Sequence, residues 1–534
     1  MKVYKRLLLS ALVLSGILFS IKSCKTYYFR ENYQDANAML HNTERMQERP
    51  FLKAHLKNGD VCIFKNQWQY NPEAELIEGM ATRYDFNRNL LKEGLQQLPV
   101  DSIVIFETNR QLEDTQNGEL ATLGLLAMVN TTFNLLCLSN PKACYGSCPT
   151  FYFDENQSFH YSRAEGFSSA IAPSMEYSDI DALSVGAQAT DTFKLVMKNE
   201  ALETHCVKEL TLLAAPHQPG EQVYHAAGNK FYRCQGFLPA RTALAAEGDV
   251  SHLLAAADYE ERFSLADAQN LNSREAIILE FDNPQALKKL GLVAGFRQTL
   301  MTTYLIYSAL GYMGDEVSDV FAKIEKDQDL GSVINGGLKT ELGEVEIYLF
   351  DSKRNTWTFQ GSFYETGPIA VNQQLLALNT TARSGPLKLK VVLNKGLWRL
   401  DYLALTEIVD TVEPIQLKPE LPGKAHARAR ANLADPDRYL VSMPGEAYHF
   451  NFHLPEGPQN EYDLFLNSRG YYLEWMRENW FKQKDLLKLR QMIKNPEAYL
   501  KSEAAEYKFY EATMEDQFWS SRVTKEKLSH YDAN

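Results

Sequence analysis

Strict alternation between apolar and polar residues is the feature that most constrains the fold of this chain. In one run the apolar residues lie two positions apart: Leu387, Leu389, Val391 and Leu393. Lys388 and Lys390 stand between them. A second run spaces Val345, Ile347 and Leu349 in the same way. Because successive side chains of a strand point to opposite faces, each run predicts a strand with one buried side. A buried face needs a second layer to cover it, so the region predicts a layered β-domain.

The stretch from residue 342 to residue 408 shares this texture, with a turn at Asn394 to Gly396. It resembles a β-sandwich of the jelly-roll kind found in ligand-binding modules. With 534 residues, 45% of them hydrophobic and 23% charged, the chain is too long for one core and predicts several domains. We therefore expect a β-rich α+β multi-domain fold with a small SH3-like barrel, a cysteine-containing β domain, a jelly-roll-like sandwich and a helical C-terminus.

Turn residues and shifts in composition predict the boundaries between segments. The expected segments are a signal peptide with a lipobox-like end (1–24), a tether (25–50), a small barrel that resembles SH3-like folds (51–118), a cysteine-containing β domain (119–272), a helix plus jelly-roll-like sandwich (273–410), a linker (411–440), and short strands with C-terminal helices (441–534).

Three long segments predict helices. Residues 120–138 carry no charge, but Asn130 and Asn134 favour a buried helix leading into a strand over a membrane span. A second helix is predicted from Pro284 to about residue 325, where chain breakers are few. The third begins at Asn495-Pro496 and places an apolar stripe against the body: Leu500, Ala504, Tyr507, Met514 and Phe518.

The first residues have the layout of an export signal, with a basic start and an apolar run from Leu7 to Ile21. The run ends in Ile21-Lys22-Ser23-Cys24, which resembles a bacterial lipobox, although Lys22 occupies a position that is normally small or uncharged. The resemblance implies a lipoprotein that is lipidated at Cys24 and held in the bacterial cell envelope, at the outer membrane or its periplasmic face. An uncleaved anchor and plain secretion are the alternatives. The apolar run is, however, shorter than the roughly 20 residues that a membrane span needs.

Two cysteines form the sharpest local motif. Cys144-Tyr145-Gly146-Ser147-Cys148-Pro149-Thr150-Phe151 resembles the Cys-aromatic-Gly-x-Cys-Pro-x-aromatic signature of an uncharacterised bacterial envelope lipoprotein family, for which no activity is established. Thiols can pair in an oxidising envelope compartment. The expected structure is a disulfide within this pair or to one of three other cysteines: Cys137, Cys206 and Cys234.

A metal or redox role for the same pair and free buried thiols are the alternatives. The Cys-x-x-x-Cys-Pro spacing resembles copper chaperones of the thioredoxin-like class, and thiolates do select copper(I). That fold requires a helix after the pair, whereas Thr150, Phe151, Tyr152 and Phe153 are strand formers. The sequence therefore favours the disulfide.

Other candidate residues have weaker signals. Three aromatic residues of the predicted sandwich could stack on a sugar, although core packing is the simpler interpretation: Trp357, Trp398 and Tyr402. His449 and His453 alternate with phenylalanines in a predicted strand, which separates the two rings by roughly 13 Å and prevents them from sharing a metal. Glu203, His205 and His217 could form an acid–base pair only if the fold brings them together.

The overall charge and the missing motifs narrow the function. A formal net charge of -13 disfavours nucleic-acid partners, which bind basic surfaces. The chain lacks the nucleophile-elbow, Walker A, H-E-x-x-H and Rossmann patterns, and no cofactor is predicted. The leading hypothesis is a membrane-tethered protein that binds or scaffolds a glycan or an envelope protein. The alternatives are a thiol or copper-handling protein centred on Cys144 and Cys148, and a carbohydrate-active enzyme whose carboxylates have no local signature.

Overall fold

The structure of this chain is a computed structural model. It describes residues 27–33, 52–56, 61–71, 73–84, 90–112, 148–153, 162–171, 175–186, 192–201, 203–282, 289–314, 337–365, 367–379, 386–422, 427–436, 438–442, 445–455, 461–474 and 483–520. Within these ranges strands greatly outnumber helices and form five sheets. The predicted β-rich α+β multi-domain fold is confirmed.

The first sheet contains six strands: β1 (Tyr27–Tyr33), β2 (Leu52–Leu56), β3 (Val61–Asn71), β4 (Leu76–Tyr84), β5 (Leu90–Pro99) and β6 (Ile103–Leu112). Their spatial order is β1-β6-β2-β3-β4-β5. A 3-10 turn at Val100–Ser102 precedes β6, which returns to pair with β2 as the last strand of an SH3-like barrel does. Phe64, Trp68 and Leu98 fill the interior.

Part of the predicted tether is a strand instead. Strand β1, with the sequence YYFRENY, pairs antiparallel with β6 along its whole length. An edge strand is held by backbone hydrogen bonds on one side, so its side chains need not alternate between apolar and polar. The sequence of residues 25–50 therefore gave no sign of it.

The chain next forms β7 (Thr150–Tyr152), β8 (Ala164–Glu165), β9 (Tyr177–Gly186), β10 (Thr192–Lys198) and β11 (Glu203–His217). It then builds a sandwich from twelve strands: β12 (Gln222–Ala226), β13 (Lys230–Pro239), β14 (Thr242–Ala245), β15 (Gly248–Asp249), β16 (Arg262–Phe263), β17 (Arg274–Phe281), β18 (Leu290–Gln298), β19 (Val345–Asp351), β20 (Thr356–Phe363), β21 (Asn372–Ala377), β22 (Leu387–Asn394) and β23 (Trp398–Val412).

The sandwich has two six-stranded sheets, in the orders β13-β12-β21-β18-β23-β16 and β15-β14-β17-β22-β19-β20. One continuous core joins them, and β22 places Leu389, Val391 and Leu393 in it. Lys388 and Lys390 face away from that core. The alternation that predicted a layered β-domain is confirmed.

The chain then returns to strands β7–β11 with β24 (Ile415–Leu417), β25 (Leu440–Ser442), β26 (Ala447–His453) and β27 (Glu461–Glu474). These nine strands form two sheets, β26-β10-β7-β8 and β24-β11-β27-β9, with β25 also on β11. We call them the cysteine domain. Residues 411–440, predicted as a linker, therefore include a strand of this domain. Pairing partners that lie 200 residues apart leave no local pattern to read.

The described residues form four α-helices: α1 (Met301–Met313), α2 (Ala427–Leu433), α3 (Leu486–Lys494) and α4 (Pro496–Ser520). Residues 337–342 are also helical. The helix predicted from Pro284 is wrong over β18, which is buried on both faces. A strand buried on both faces reads as a continuous apolar run, as a buried helix also does.

The predicted stripe of the C-terminal helix is confirmed at Leu500, Ala504, Tyr507 and Met514, which are buried in the sandwich core. Residues 1–24 and 120–138 lie outside the described residues, as does the side chain of Phe518. Among the helices that the structure describes, none is both long enough and apolar enough to span a membrane.

Candidate functional site

A largely apolar cavity of about 170 Å³ lies between the cysteine domain and the helices that cover the sandwich. Helix α1 contributes Ala309 and Leu310 to its wall, and α3 contributes Met492. The cysteine domain supplies the polar part of the lining: Cys148, Glu165, Ser168, Glu203 and Tyr472. The cavity therefore joins an apolar helical wall to a polar wall of buried side chains.

The local sequence explains why helix α1 can form this wall. Its sequence, MTTYLIYSALGYM, is apolar on nearly all sides, as expected for a buried helix. The Oγ1 atom of Thr299 accepts a hydrogen bond from the backbone N–H of Met301 at 3.2 Å. Gly314 ends the helix with a φ of 54°, a conformation that glycine adopts without strain.

Glu165 ends strand β8 and is the most unusual group of the polar wall. Its Oε2 atom accepts a hydrogen bond from the backbone N–H of Ile369 at 2.7 Å. Gly367, with a φ of 106°, leaves room for this carboxyl, since a Cβ there would lie 2.5 Å from it. Burial raises the pKa of Glu165 to about 7. Near pH 7 about half of the Glu165 carboxyl population is therefore protonated.

Cys148 lies next to this carboxyl, and its thiol is fully buried. Burial raises the pKa of Cys148 well above its ordinary value, and the charges of Glu165 and Glu203 raise it further. A thiol with a raised pKa holds its proton, and it is the thiolate that attacks or binds a metal. Cys148 therefore lies in an environment that suppresses its reactivity.

Further carboxyls surround Glu165. Burial raises the pKa of Asp179 to about 7 and that of Asp181 well above its ordinary value. The charges acting most strongly on Asp181 are those of Asp179, Glu365 and Glu165, all of the same sign. We call Glu165, Asp179, Asp181 and Glu365 the carboxyl cluster. Because like charges disfavour ionisation, these neighbours add to the effect of burial and favour the protonated form of Asp181.

The carboxyl cluster spans the junction between the cysteine domain and the sandwich. Asn372, in strand β21, donates a hydrogen bond from Nδ2 to Glu365. The Oδ1 atom of the same side chain accepts one from the backbone N–H of Ala182, in strand β9, at 2.9 Å. Polar groups of both units therefore meet behind the cavity wall.

Of the acid–base candidates, the structure brings two together and separates the third. His205 Nε2 lies 3.0 Å from Glu203 Oε1, and both side chains are completely buried. His217 stands at the opposite end of strand β11, where its Nε2 lies 3.5 Å from Asp463 Oδ2. Glu203 and His205 share a face of the strand because they are two positions apart.

The aromatic candidates do not form a common surface. Trp398 is buried in the sandwich core, 5.8 Å from the ring of Phe296. Tyr402 packs in a separate small cluster with Cys234. Trp357 lies in the other sheet, where its ring is 5.1 Å from Lys390 Nζ. These positions match the core-packing interpretation of Trp398.

Cys148, Cys206 and Cys234 are buried, and no disulfide forms among the cysteines that the structure describes. Cys206 packs in the core of the cysteine domain, and burial raises the pKa of Cys234 to about 12. The predicted disulfide is therefore not seen at these three positions. Cys24, Cys137 and Cys144 lie outside the described residues.

His449 and His453 occupy strand β26, as predicted, and alternate with the buried Phe450 and Phe452. His453 is exposed, with its Nε2 3.2 Å from Glu420 Oε2. Across the part of the chain that the structure describes, no three histidine, cysteine, aspartate or glutamate side chains are arranged to hold a metal ion.

Sequence reasoning missed most of the polar wall. Glu165 was not singled out, because a lone glutamate between SRA and GF has no local signature. Its partner segment, 367–372, lies about 200 residues away. Residues that line a cavity from distant segments of the chain do not form a motif of fixed spacing in the sequence.

No protein-family model matches this chain, and no curated protein is significantly similar to it.

Proposed function

We propose that this chain is a tethered cell-envelope lipoprotein that binds a small, mainly apolar ligand in the cavity between α1, α3 and the cysteine domain. The apolar leader that ends at Cys24 supports the tether and the envelope location. The cavity itself carries the binding role, because it is enclosed by apolar side chains and has few polar groups.

The size of the cavity bounds the ligand. Its volume of about 170 Å³ is close to that of engineered apolar cavities of about 150 Å³, which stay dry and bind benzene. A chain or ring of about six to eight carbons is therefore a suitable probe. In its protonated form, which makes up about half of the population near pH 7, Glu165 adds a neutral hydrogen-bonding group to the wall.

Binding can be tested with 1-octanol, which has an apolar chain and one hydroxyl. We expect 1-octanol to raise the unfolding temperature of the full chain and to bind measurably by calorimetry. Ala309→Phe should fill the cavity and weaken binding at least tenfold. Ala505→Phe, on the exposed face of helix α4, is the matched control and should bind as the parent does. Equal binding by both variants, or none by the parent, would count against the cavity as the site.

The thiol-centred alternative receives little support from Cys148, whose environment keeps the thiol protonated. It can be tested by alkylating the native protein with iodoacetamide at pH 8. We expect Cys148 to react at least tenfold more slowly than a free cysteine, as judged by peptide mass spectrometry. Rapid labelling of Cys148 would revive the thiol hypothesis.

One observation favours a second function, an acid–base enzyme acting on carbohydrates. Glu165, with a pKa of about 7, and a second carboxyl, Glu203, line the same cavity. A carboxylic acid that is still partly protonated near neutral pH can protonate a leaving group. A screen of chromogenic glycosides, with Glu165→Gln as the comparison, tests this function. Turnover by the parent and its loss in the variant would establish it.

A further inference from the structure

A charged groove of about 530 Å³ opens beside the cavity, and two residues line both spaces, Lys339 and Gly343. Gly343 has a φ of 75°, and a Cβ at this position would overlap the guanidinium of Arg274. The missing side chain thus lets Arg274 lie across the backbone at the junction. The groove and the cavity therefore lie side by side, with Lys339 and Gly343 between them.

The groove contains two cations and two carboxylates, so it carries no net charge. Arg274 Nη1 lies 2.7 Å from Glu346 Oε1, and Lys339 Nζ lies 3.8 Å from Glu344 Oε1. All four side chains are between 27% and 40% exposed, which leaves each of them open to a ligand.

Neutral hydroxyl donors hold the two carboxylates in place. The hydroxyl of Tyr348 donates to Glu346 Oε2 at 2.6 Å, and that of Ser362 donates to Glu344. Phe359, which is 54% exposed, adds an apolar edge and packs against Tyr348 with ring centroids 5.4 Å apart. The groove therefore presents fixed donors, fixed acceptors and an aromatic surface.

Lys339 marks the transition between the two spaces. Its Nζ lies 3.4 Å from the centre of the Tyr364 ring, and Tyr364 is itself part of the cavity lining. The ammonium group of Lys339 thus lies at the border between the apolar cavity and the mixed-charge groove. An amphiphile is the ligand class that matches an apolar space with a polar exit.

We propose that the ligand is a single-chain amphiphile whose tail enters the cavity and whose head group, of no net charge, occupies the groove. This inference rests on the proposed binding function. A singly charged head group would gain no net attraction there, because its attraction to one pair of charged side chains is offset by repulsion from the other pair. A glycosidic head and a zwitterionic head share the required chemistry of several hydrogen-bonding groups without net charge.

Five eight-carbon probes below their micellar concentrations test this: 1-octanol, octyl glucoside, octylphosphocholine, octanoate and octyltrimethylammonium. We expect octyl glucoside or octylphosphocholine to bind about tenfold more tightly than 1-octanol, octanoate and octyltrimethylammonium in calorimetry with the full chain. The stronger of the two identifies the source of the head group. If 1-octanol binds and no neutral head improves on it, or a charged head binds best, the inference is overturned while the cavity function stands. If no probe binds, both fall.

Two variants, one lacking a negative and one lacking a positive side chain of the groove, test whether the groove contacts the head group of the ligand. Glu346→Gln should strengthen octanoate binding about fivefold relative to octyltrimethylammonium, and Arg274→Gln should reverse that preference. Lys353→Gln, on the exposed turn between β19 and β20, changes charge outside the groove and should leave the preference unchanged. Binding of 1-octanol should be the same in all three variants, which separates misfolding from lost recognition. Equal shifts in all three would show a general charge effect and overturn the groove assignment.

Discussion

Two buried carboxyl sites in this molecule have opposite surroundings. Glu503, on helix α4, accepts hydrogen bonds from Tyr304 at 2.6 Å and Tyr312 at 3.2 Å, and it lies 2.7 Å from Lys488 Nζ. Glu165 accepts a backbone N–H and has other carboxyls around it. Both side chains are at most 2% exposed, so burial alone does not distinguish them.

The two carboxyls differ in their donors: Glu503 is surrounded by two hydroxyls and an ammonium group, whereas Glu165 has a backbone N–H and other carboxyls around it. Burial and then the charge of Glu503 raise the pKa of Tyr304. For Lys488, burial acts to lower the pKa, but hydrogen bonds to Glu503 and Tyr312 outweigh it and the pKa rises. The Glu503 network thus fastens α4 to α1 and α3 through charge. Around the carboxyl cluster, the two domains are instead joined by hydrogen bonds from amide and backbone donors.

The largest expected effect comes from removing the acceptor of the paired network. Glu503→Ala leaves the ammonium of Lys488 and two buried hydroxyls without their carboxylate, and removing one partner of a buried pair costs about 3 kcal/mol or more. We expect a matching loss in the free energy of unfolding, measured by urea denaturation followed through the helical circular dichroism signal. Glu506→Gln, whose carboxylate lies 3.5 Å from the same Lys488 Nζ but is 42% exposed, is the control. It should cost less than about 1 kcal/mol. Similar losses in both would mean that burial is irrelevant to the pair.

The second prediction concerns pH and the unpaired cluster. The pKa of Glu165 is about 7 in the folded protein against an ordinary 4.5. Its contribution to stability is therefore fully present below pH 4.5 and is lost as the pH rises to about 7, by up to about 3 kcal/mol. Glu165→Gln keeps an oxygen for the Ile369 N–H and cannot ionise. We expect this variant to lose less stability than the parent between pH 4.5 and pH 8, as judged by thermal unfolding. Glu420→Gln, with a side chain 68% exposed, should follow the parent. A parent whose stability rises over this range would contradict the assignment.

Some strands of this fold could be predicted from the sequence, and others could not. Alternation of apolar and polar residues identified β22 and the sandwich, because a strand with one buried face has a periodicity of two residues that can be seen locally in the sequence. It failed for β18, whose two buried faces erase the alternation, and for β1, which is held through its backbone. Strands β24 to β27 complete the two sheets of the cysteine domain by pairing with strands that are far away in the chain, so no local pattern predicts them.

The candidate site was harder to predict than the fold for the same reason. Cys148 was identified from its motif, but its chemistry depends on Glu165 and Glu203, which arrive from other strands. Glu203 and His205 were found as neighbours in sequence and are hydrogen-bonded in the structure. The Glu503 network was missed, since its tyrosines and lysine come from helices separated by about 200 residues.

A third prediction tests whether Gly367 is a seat for the Glu165 carboxyl. Gly367→Ala places a Cβ 2.5 Å from that carboxyl and also imposes strain at a φ of 106°. Gly220→Ala imposes similar strain at a φ of 84°, but nothing lies within 4 Å of the new Cβ. We expect about 1 kcal/mol of destabilisation at Gly220 and about 2 kcal/mol at Gly367. The pH dependence described for Glu165 should change in Gly367→Ala alone. Equal losses and unchanged pH profiles would show that the glycine serves only the backbone.

The smallest effect is expected where a carboxylate is paired but not buried. Lys501 Nζ lies 2.6 Å from Glu497 Oε1, closer than Lys488 lies to Glu503, yet the two side chains are 51% and 58% exposed. Water already solvates both charges, and ordering two long side chains offsets the attraction. We expect Lys501→Ala to leave the unfolding midpoint unchanged within error, in the same urea experiment as Glu503→Ala. A loss as large as that of Glu503→Ala would mean that contact distance governs these pairs. No loss would indicate that an ion pair of this kind contributes to the free energy of unfolding only where the protein shields it from water.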